Sequence, residues 1–304
     1  MNLVGLRFYS QGANPSLGKA LSMRDSLRRR ISAVLPILVG LVLCGCPNAE
    51  SKPVEDFHIL QVPGQPDNLP EFLNPETAGF LPHDESSFTQ GLLFHDGFLY
   101  ESTGRKGESK VRKLDPKSGA TVAQTDLEPE FFGEGLAYFE NSFYQLTWVA
   151  GVCLVYDENL KPTGQLMYGT QGWGLTLDPE SKMFAFSDGS AEIRFLDPKN
   201  FVTKRRVTVT DGNGRPIQNL NELEWVNGEL WANVWVSDVV ARIDPNTGKV
   251  LGWVRFKSLV KENQHTQEDV LNGLAYDPES DTLWVTGKLW KRIYRIENVK
   301  EKFF

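Results

Sequence analysis

Five β-rich segments with a shared pattern follow one another along the chain after Ser87. Each starts with a polar or aromatic residue, and each has leucine at its third position. The segments are 90–94, 134–138, 173–177, 221–225 and 272–276. They recur roughly every 45 residues, which is close to the length of one four-stranded propeller blade. The pattern therefore predicts a chain built from five structural repeats.

A turn and a second strand-like run follow each of these segments. The second runs are 98–100, 143–146, 183–186, 229–232 and 282–285. In three repeats the third run ends in an Asp-Pro turn, at 115–116, 197–198 and 244–245, and a fourth run comes after the turn. Long amphipathic helices are absent from the pattern, which disfavours an α/β fold. We therefore expect an all-β, five-bladed β-propeller.

The last repeat stops at 292–296 and has no fourth strand of its own. A propeller closes its ring when a distant strand completes this blade and covers its exposed edge. The strand-like run Phe57–Val62 is the expected closing strand. The predicted domains are an export segment at 1–46, a tether at 47–82 and the propeller at 83–304.

The N-terminal region has the pattern of an export signal. Three arginines at 28–30 precede an apolar run at 31–43 that is too short to span a bilayer comfortably. The run leads into Leu43-Cys44-Gly45-Cys46, which resembles a bacterial lipobox, so lipidation is expected at Cys46. Pro47 favours the outer membrane, facing the periplasm. A cleaved secretory signal without lipidation is an alternative, and Met23 is an alternative start to Met1.

Composition narrows the classes of function. The chain has 304 residues, of which 40% are hydrophobic, so it can build an extensive core. Its net charge of -7 and the lack of a dense lysine or arginine stripe argue against nucleic acid as a partner. Outside the export segment Cys153 is the remaining cysteine. We expect it to be a buried strand residue, without a disulfide framework.

The first residue of each repeat should lie at one mouth of the propeller channel, because the innermost strands line that channel. These residues are Gln90, Glu134, Trp173, Asn221 and Asn272. A purely structural repeat would tend to carry interchangeable small residues here, so this variety indicates a site. The ends of the second runs add Trp148, Trp235 and Lys288. Asn272 also has an ordinary interpretation, as a residue that satisfies backbone groups at a strand end.

Several ordered motifs resemble the plant-type glutaminyl-peptide cyclotransferases, which also occur in bacteria and are five-bladed propellers. The motifs lie at 83–92, 132–136, 172–174, 221–225, 233–235 and 286–288. The resemblance implies conversion of N-terminal glutamine to pyroglutamate with release of ammonia, an aminoacyltransferase reaction on peptides or proteins. It also implies catalytic roles for Glu134, Asn221 and Lys288, and substrate binding by Gln90, Trp148, Trp173 and Trp235. The long insertion between Val62 and His83 departs from the family pattern.

Metal-dependent chemistry has little support in the sequence. The four histidines lack the paired spacing of zinc ligands and the context of a Ser-His-Asp triad. We therefore expect that no cofactor is required. An ion held in the channel by carbonyl or carboxylate oxygens is an open alternative. The main alternative function is a non-catalytic exported lipoprotein that binds a peptide, glycan or partner protein in the channel. A lactonase-like hydrolase ranks last, and the oligomeric state is left open.

Overall fold

The computed structural model describes residues 72–304, and this part of the chain consists mainly of short antiparallel strands. The first strand, β1 (Gly79–Pro82), precedes the repeats. The first two repeats form β2 (Thr89–His95), β3 (Phe98–Thr103), β4 (Lys110–Leu114), β5 (Thr121–Asp126), β6 (Gly133–Phe139), β7 (Ser142–Thr147), β8 (Val152–Tyr156) and β9 (Pro162–Met167). The next two form β10 (Leu175–Asp178), β11 (Met183–Phe186), β12 (Glu192–Leu196), β13 (Thr203–Thr208), β14 (Leu220–Val226), β15 (Glu229–Val234), β16 (Val239–Ile243) and β17 (Val250–Arg255). The last forms β18 (Leu271–Asp277), β19 (Thr282–Gly287) and β20 (Arg292–Glu297).

The strands form five four-stranded sheets, which confirms the predicted five-bladed propeller. Each of the first four blades uses four consecutive strands, and the first strand of each is the innermost. The fifth blade has the order β1-β20-β19-β18. A strand from before the first blade therefore forms the outer edge of the last blade and closes the ring.

The closing strand differs from the one predicted. Gly79–Pro82 pairs with β20, in a register that runs from Gly79 opposite Arg295 to Pro82 opposite Arg292. The predicted strand, 57–62, lies outside the described residues. The error has a physical reason: this closing strand is four residues long and ends in proline, which an edge strand tolerates but which makes the segment read as a loop. The observed closing strand still lies within the segment predicted as a tether, 47–82.

The shared sequence pattern reflects how the inner strands pack around the channel. All five leucines at the third position are buried: Leu92, Leu136, Leu175, Leu223 and Leu274. Glycine precedes leucine in four blades because the neighbouring inner strand comes very close. A Cβ at Gly91 would lie 2.7 Å from the backbone nitrogen of Leu136, and one at Gly174 would lie 2.1 Å from the backbone oxygen of Asn221. Glycine at this position therefore allows adjacent blades to approach closely.

A buried set of polar and charged side chains joins the first blade to the last. We call this set, which consists of His83, Thr89, Glu101 and Arg112, the seam network. Glu101 accepts hydrogen bonds from Thr89 Oγ1 at 2.6 Å, from His83 Nε2 at 2.9 Å and from Arg112. The other ring nitrogen of His83 lies 2.7 Å from the backbone oxygen of Trp290 in blade 5. Both neighbours of the ring, a carboxylate and a backbone carbonyl, are acceptors, so His83 links blade 1 to blade 5 through its two ring nitrogens.

Within residues 72–304, two short helices lie outside the blades, α1 (Lys257–Asn263) and α2 (Val299–Phe303). In the described part of the chain no helix has the length and apolar character needed to cross a membrane. The predicted export segment and Cys46 lie outside that part. Cys153 is a buried residue of β8, as predicted.

Candidate functional site

The predicted site residues lie where the inner strands begin. Three of them, Gln90, Glu134 and Asn221, are at most 4% exposed and belong to β2, β6 and β14. Asn272, which was not among the predicted site residues, occupies the equivalent position in β18 and is fully buried. In each of these blades the pairing register shifts at this position, between residues 89 and 91, 133 and 136, 220 and 223, and 271 and 274. Such an irregularity changes the direction of a side chain, which then no longer follows the alternation between the two faces of the strand. It explains why residues of this polar character can be accommodated at the start of an otherwise apolar strand.

Three of these side chains form a hydrogen-bonded chain across three blades. Asn272 Nδ2 donates to Gln90 Oε1 at 3.1 Å, and Gln90 Nε2 donates to Glu134 Oε1 at 3.0 Å. Asn272 Nδ2 also donates to the backbone oxygen of Thr89 at 3.0 Å. Glu134 is therefore fixed from the first blade, and the residue that fixes it is bonded in turn to the fifth.

Glu134 and Lys288 influence each other's charge. Burial raises the pKa of Glu134 well above its usual range, and the charge of Lys288 acts in the opposite direction. Burial likewise lowers the pKa of Lys288 to about 8, against the opposing effect of Glu134. Lys288 is only 4% exposed, so it is not part of a solvated basic edge. The two groups belong to one dry pocket in which each favours the charged form of the other.

Aromatic rings surround the ammonium group of Lys288. Its Nζ lies 4.7 Å from the ring centroid of Phe88 and 6.0 Å from that of Trp235. The rings of Phe88 and Phe132 meet edge to face at 6.0 Å, and Phe132 lies 5.7 Å from Trp148. These contacts form a continuous aromatic wall.

Phe88 and Phe132 belong to the motifs noted above, but sequence reasoning gave them no role in the site. The signal was present, since each stands two positions before a site residue, Gln90 or Glu134. Residues two apart in a strand share a face. The register shifts at these positions disturb that alternation, so the shared face of Phe88 and Gln90, and of Phe132 and Glu134, could not be read from the sequence.

The three predicted tryptophans occupy different depths. Trp173 and Trp235 meet edge to face, with centroids 5.6 Å apart. Trp148 and Trp235 are 40% and 39% exposed and lie at the entrance, whereas Trp173 is less exposed. Gly189 makes room for Trp173, because a Cβ there would lie 2.7 Å from the indole ring. The pocket is thus apolar on its walls and open on one side.

Four buried polar atoms near this mouth have no hydrogen-bond partner within residues 72–304. They are Trp173 Nε1, Asn221 Oδ1, Asn233 Nδ2 and Asn272 Oδ1. Buried polar groups are normally paired, so a cluster of unpaired ones indicates a place for a polar guest. Both donors and acceptors are present among them, which suits a guest with an amide group.

Two further acids lie deeper in the channel and were not assigned a role from the sequence. Glu222 accepts hydrogen bonds from the backbone nitrogens of Leu92 and Leu274, at 3.4 and 3.0 Å. Glu224 accepts one from the backbone nitrogen of Tyr276 at 2.7 Å. Burial raises the pKa of Glu222 well above its usual range and that of Glu224 to about 8. Their oxygens bond to the inner strands of other blades, so these acids stabilise the channel.

Other features of the described residues do not compete with this pocket. Cavities of about 710 and 610 Å³ lie at the other end of the inner strands, and none of the predicted site residues lines either of them. Within residues 72–304 there is no group of three or more His, Cys, Asp or Glu side chains placed to hold a metal ion. Asp188 bonds to Ser190 and Arg194, as a turn residue does.

The fold and the site together define a five-bladed propeller with a polar, aromatic-walled pocket at one mouth of its channel. Residues 54–298 match the family model described as glutamine cyclotransferase, and the chain belongs to this family. It is 39% identical over 231 residues to a glutaminyl-peptide cyclotransferase of Arabidopsis thaliana, which covers 73% of this chain and 70% of the relative. The crystal structure of the glutaminyl cyclase of Myxococcus xanthus superposes with a TM-score of 0.69 at 34% identity, covering 75% of this chain and 98% of that one.

Proposed function

We propose that this protein is a glutaminyl-peptide cyclotransferase, which converts N-terminal glutamine of peptides or proteins to pyroglutamate and releases ammonia. In class it is an aminoacyltransferase whose acceptor is the substrate's own α-amine. The observation that carries the proposal is the buried Glu134, held by Gln90 in the same pocket as Lys288. The family and its similar relatives support it.

Glu134 moves the proton that the reaction must transfer. The α-amine attacks the γ-carboxamide carbon, so one C–N bond forms while the bond to the leaving nitrogen breaks. The amine loses a proton and the departing nitrogen gains one. Glu134 first takes a proton from the α-ammonium group, which frees the amine to attack, and passes this proton to the departing nitrogen. The second proton, which the attacking nitrogen loses as the ring closes, follows the same route, so the nitrogen leaves as ammonium. Burial raises its pKa toward the working range, which suits a group that both accepts and donates.

Lys288 and Asn221 act on the γ-carbonyl oxygen, where negative charge develops. With a pKa of about 8, Lys288 is mostly protonated at neutral pH and donates to that oxygen. Asn221 Nδ2 is the second donor. One such donor contributes about 2 to 4 kcal/mol to the transition state in a water-excluded site.

The aromatic side chains provide shape and dryness. Trp173, at the inner side of the pocket, packs edge to face against Trp235. Trp148 and Trp235 flank the entrance. Pressed between these rings, the flexible glutamine side chain folds back so that the amine approaches the carboxamide. Proximity of this kind lowers the barrier of an intramolecular reaction.

The Glu134→Gln variant tests the assignment. Glutamine keeps the size of the side chain and removes its ability to transfer a proton, so ammonia release from a glutaminyl dipeptide should fall about 100- to 10,000-fold. The circular dichroism spectrum should be unchanged, and the melting temperature should not be lower than that of the wild type. The matched control is Glu192→Gln, which changes a half-exposed acid at the start of β12 and should retain full activity.

Retained activity in Glu134→Gln would remove this residue from the mechanism. If the wild-type protein binds a glutaminyl dipeptide and releases no ammonia, the alternative of a non-catalytic binding propeller replaces the enzyme.

We also propose that the protein is exported and anchored to the outer membrane through Cys46, where it acts on exported peptides. The lipobox-like sequence at 43–46 supports this proposal. Labelling with palmitate in a bacterial host should mark the wild-type protein but not Cys46→Ser. A Cys46→Ser protein that stays labelled, or a wild type that is released in soluble form, contradicts it.

A further inference from the structure

Asn272 stands at the head of the hydrogen-bonded chain that leads to Glu134. Its side chain is fully buried, and Nδ2 is bonded to two acceptors, the backbone oxygen of Thr89 at 3.0 Å and Gln90 Oε1 at 3.1 Å. Both N–H groups of the amide are thereby used. A reversed amide would instead bring Oδ1 against these acceptors.

The direction of the whole chain follows from one backbone group. The carbonyl of Thr89 can accept a hydrogen bond but cannot donate one, so it fixes the orientation of the Asn272 amide. Asn272 Nδ2 therefore donates to Gln90, and Gln90 accepts this hydrogen bond with Oε1. Gln90 is left with its NH₂ group toward Glu134, where Nε2 lies 3.0 Å from Oε1.

We infer that Asn272 is a positioning residue, which orients the Gln90 amide so that Glu134 always meets a donor. The inference rests on the proposed function of Glu134. A donor to a carboxylate favours its ionised form. The orientation therefore opposes the effect of burial on Glu134, and it leaves the carboxylate able to take a proton from the substrate ammonium group.

Removing Asn272 should change the proton affinity of Glu134 through Gln90. In Asn272→Ala the Gln90 amide is free to turn its oxygen toward Glu134, which disfavours the carboxylate. We expect kcat/KM to fall about 10-fold, mainly through kcat. The acid limb of its pH profile should move upward by at least about half a pH unit.

A double-mutant cycle separates positioning from a merely structural role. Gln90→Met removes the intermediate amide at similar size, and in that background Asn272→Ala should change kcat/KM less than about 2-fold. Additive effects of the two substitutions overturn the inference. So does an unchanged pH profile in Asn272→Ala.

Asn263 provides a matched control. It is also a buried asparagine that donates Nδ2 to a backbone carbonyl, that of Leu259 at 2.9 Å, and to a side-chain oxygen, that of Tyr294 at 2.7 Å. It lies on α1, outside the pocket. Asn263→Ala removes the same kinds of hydrogen bond, so it should lower the melting temperature while leaving the pH profile unchanged.

A direct titration makes the inference independent of turnover. The carboxyl carbon of Glu134 can be followed by ¹³C NMR in labelled full-length protein, with Glu134→Gln identifying its signal. The measured pKa should be higher in Asn272→Ala than in the wild type, and equally high in Gln90→Met and the double variant. If the wild type releases no ammonia but this pattern is found, the proposed function fails and the positioning role stands. If ammonia is released but the pKa of Glu134 does not move in Asn272→Ala, the positioning role fails alone.

Discussion

The seam network gives a prediction for the stability of the Glu101→Gln variant. Burial alone would raise the pKa of Glu101, but the charges of His83 and Arg112 and the hydrogen bonds to it lower the pKa to about 2, from an ordinary value of 4.5. One pKa unit corresponds to about 1.4 kcal/mol, so the ionised carboxylate stabilises the fold by about 3 kcal/mol. The variant also leaves the buried Arg112 with only the half-exposed Asp84 as its ionic partner, and breaking a buried pair costs about 3 to 5 kcal/mol.

The pH dependence of this stabilisation has a definite sign. The folded-state pKa lies below the unfolded one, so the unfolded chain takes up the proton first as the pH falls. The contribution is complete above pH 4.5 and is lost as the pH falls toward 2. At pH 3 about 1 kcal/mol of it should remain.

Urea unfolding followed by tryptophan fluorescence measures both values. We expect Glu101→Gln to lose about 3 to 5 kcal/mol at pH 7, with a melting temperature lower by roughly 6 to 15 °C, and about 1 kcal/mol at pH 3. Glu192→Gln, which breaks an exposed ion pair with Arg206, should change stability by less than about 1 kcal/mol. A loss below 1 kcal/mol at pH 7, or one of the same size at both pH values, would refute the reasoning.

Three further predictions concern activity. Ammonia release should decline as the pH rises through about 8, because Lys288 then loses its proton. Arginine keeps its proton to much higher pH, so Lys288→Arg should move this decline above pH 10. A decline that stays at the same pH in this variant contradicts the role of Lys288. Gly189→Ala should lower kcat/KM about 10-fold by displacing Trp173, whereas Gly97→Ala, which has the same kind of positive φ but open space around it, should leave kcat/KM unchanged. Ammonia release should persist in the presence of a chelator, and its loss on chelation, with recovery on adding a metal ion, would show that a channel ion is required.

The sequence predicts the five-bladed architecture because each repeat carries the residues that adjacent inner strands need in order to pack against each other. Gly91 and Gly174 must be glycine for adjacent inner strands to approach, and the following leucines must fill the space between blades. The leucine recurs in all five repeats and the glycine in four of them, so both demands are visible in one sequence. The convergence of Gln90 and Glu134 follows from the same repeat, because a closed ring brings equivalent positions to one mouth.

Other features depend on contacts between blades that no local pattern records. The closing strand at Gly79–Pro82 is short and lies at an edge, so it carries little alternation. The register shifts that aim the site residues arise from strand pairing. The bond from Asn272 to Gln90 joins side chains on the last and first blades, and from the sequence Asn272 had an equally good explanation as a strand-end residue.

Ring closure by β1 has a consequence for the order of events during refolding. Gln90 and Asn272 are 182 residues apart in the chain, and His83 and Trp290 are 207 apart. These contacts therefore form only after the first and last blades have met. Contacts of such long sequence separation are slow to form, whereas the hairpins within each blade are local. The pocket is therefore among the last parts of the molecule to assemble. After dilution from denaturant, ammonia release should recover later than the β-sheet signal in circular dichroism. The delay measures how long the first and fifth blades take to come together.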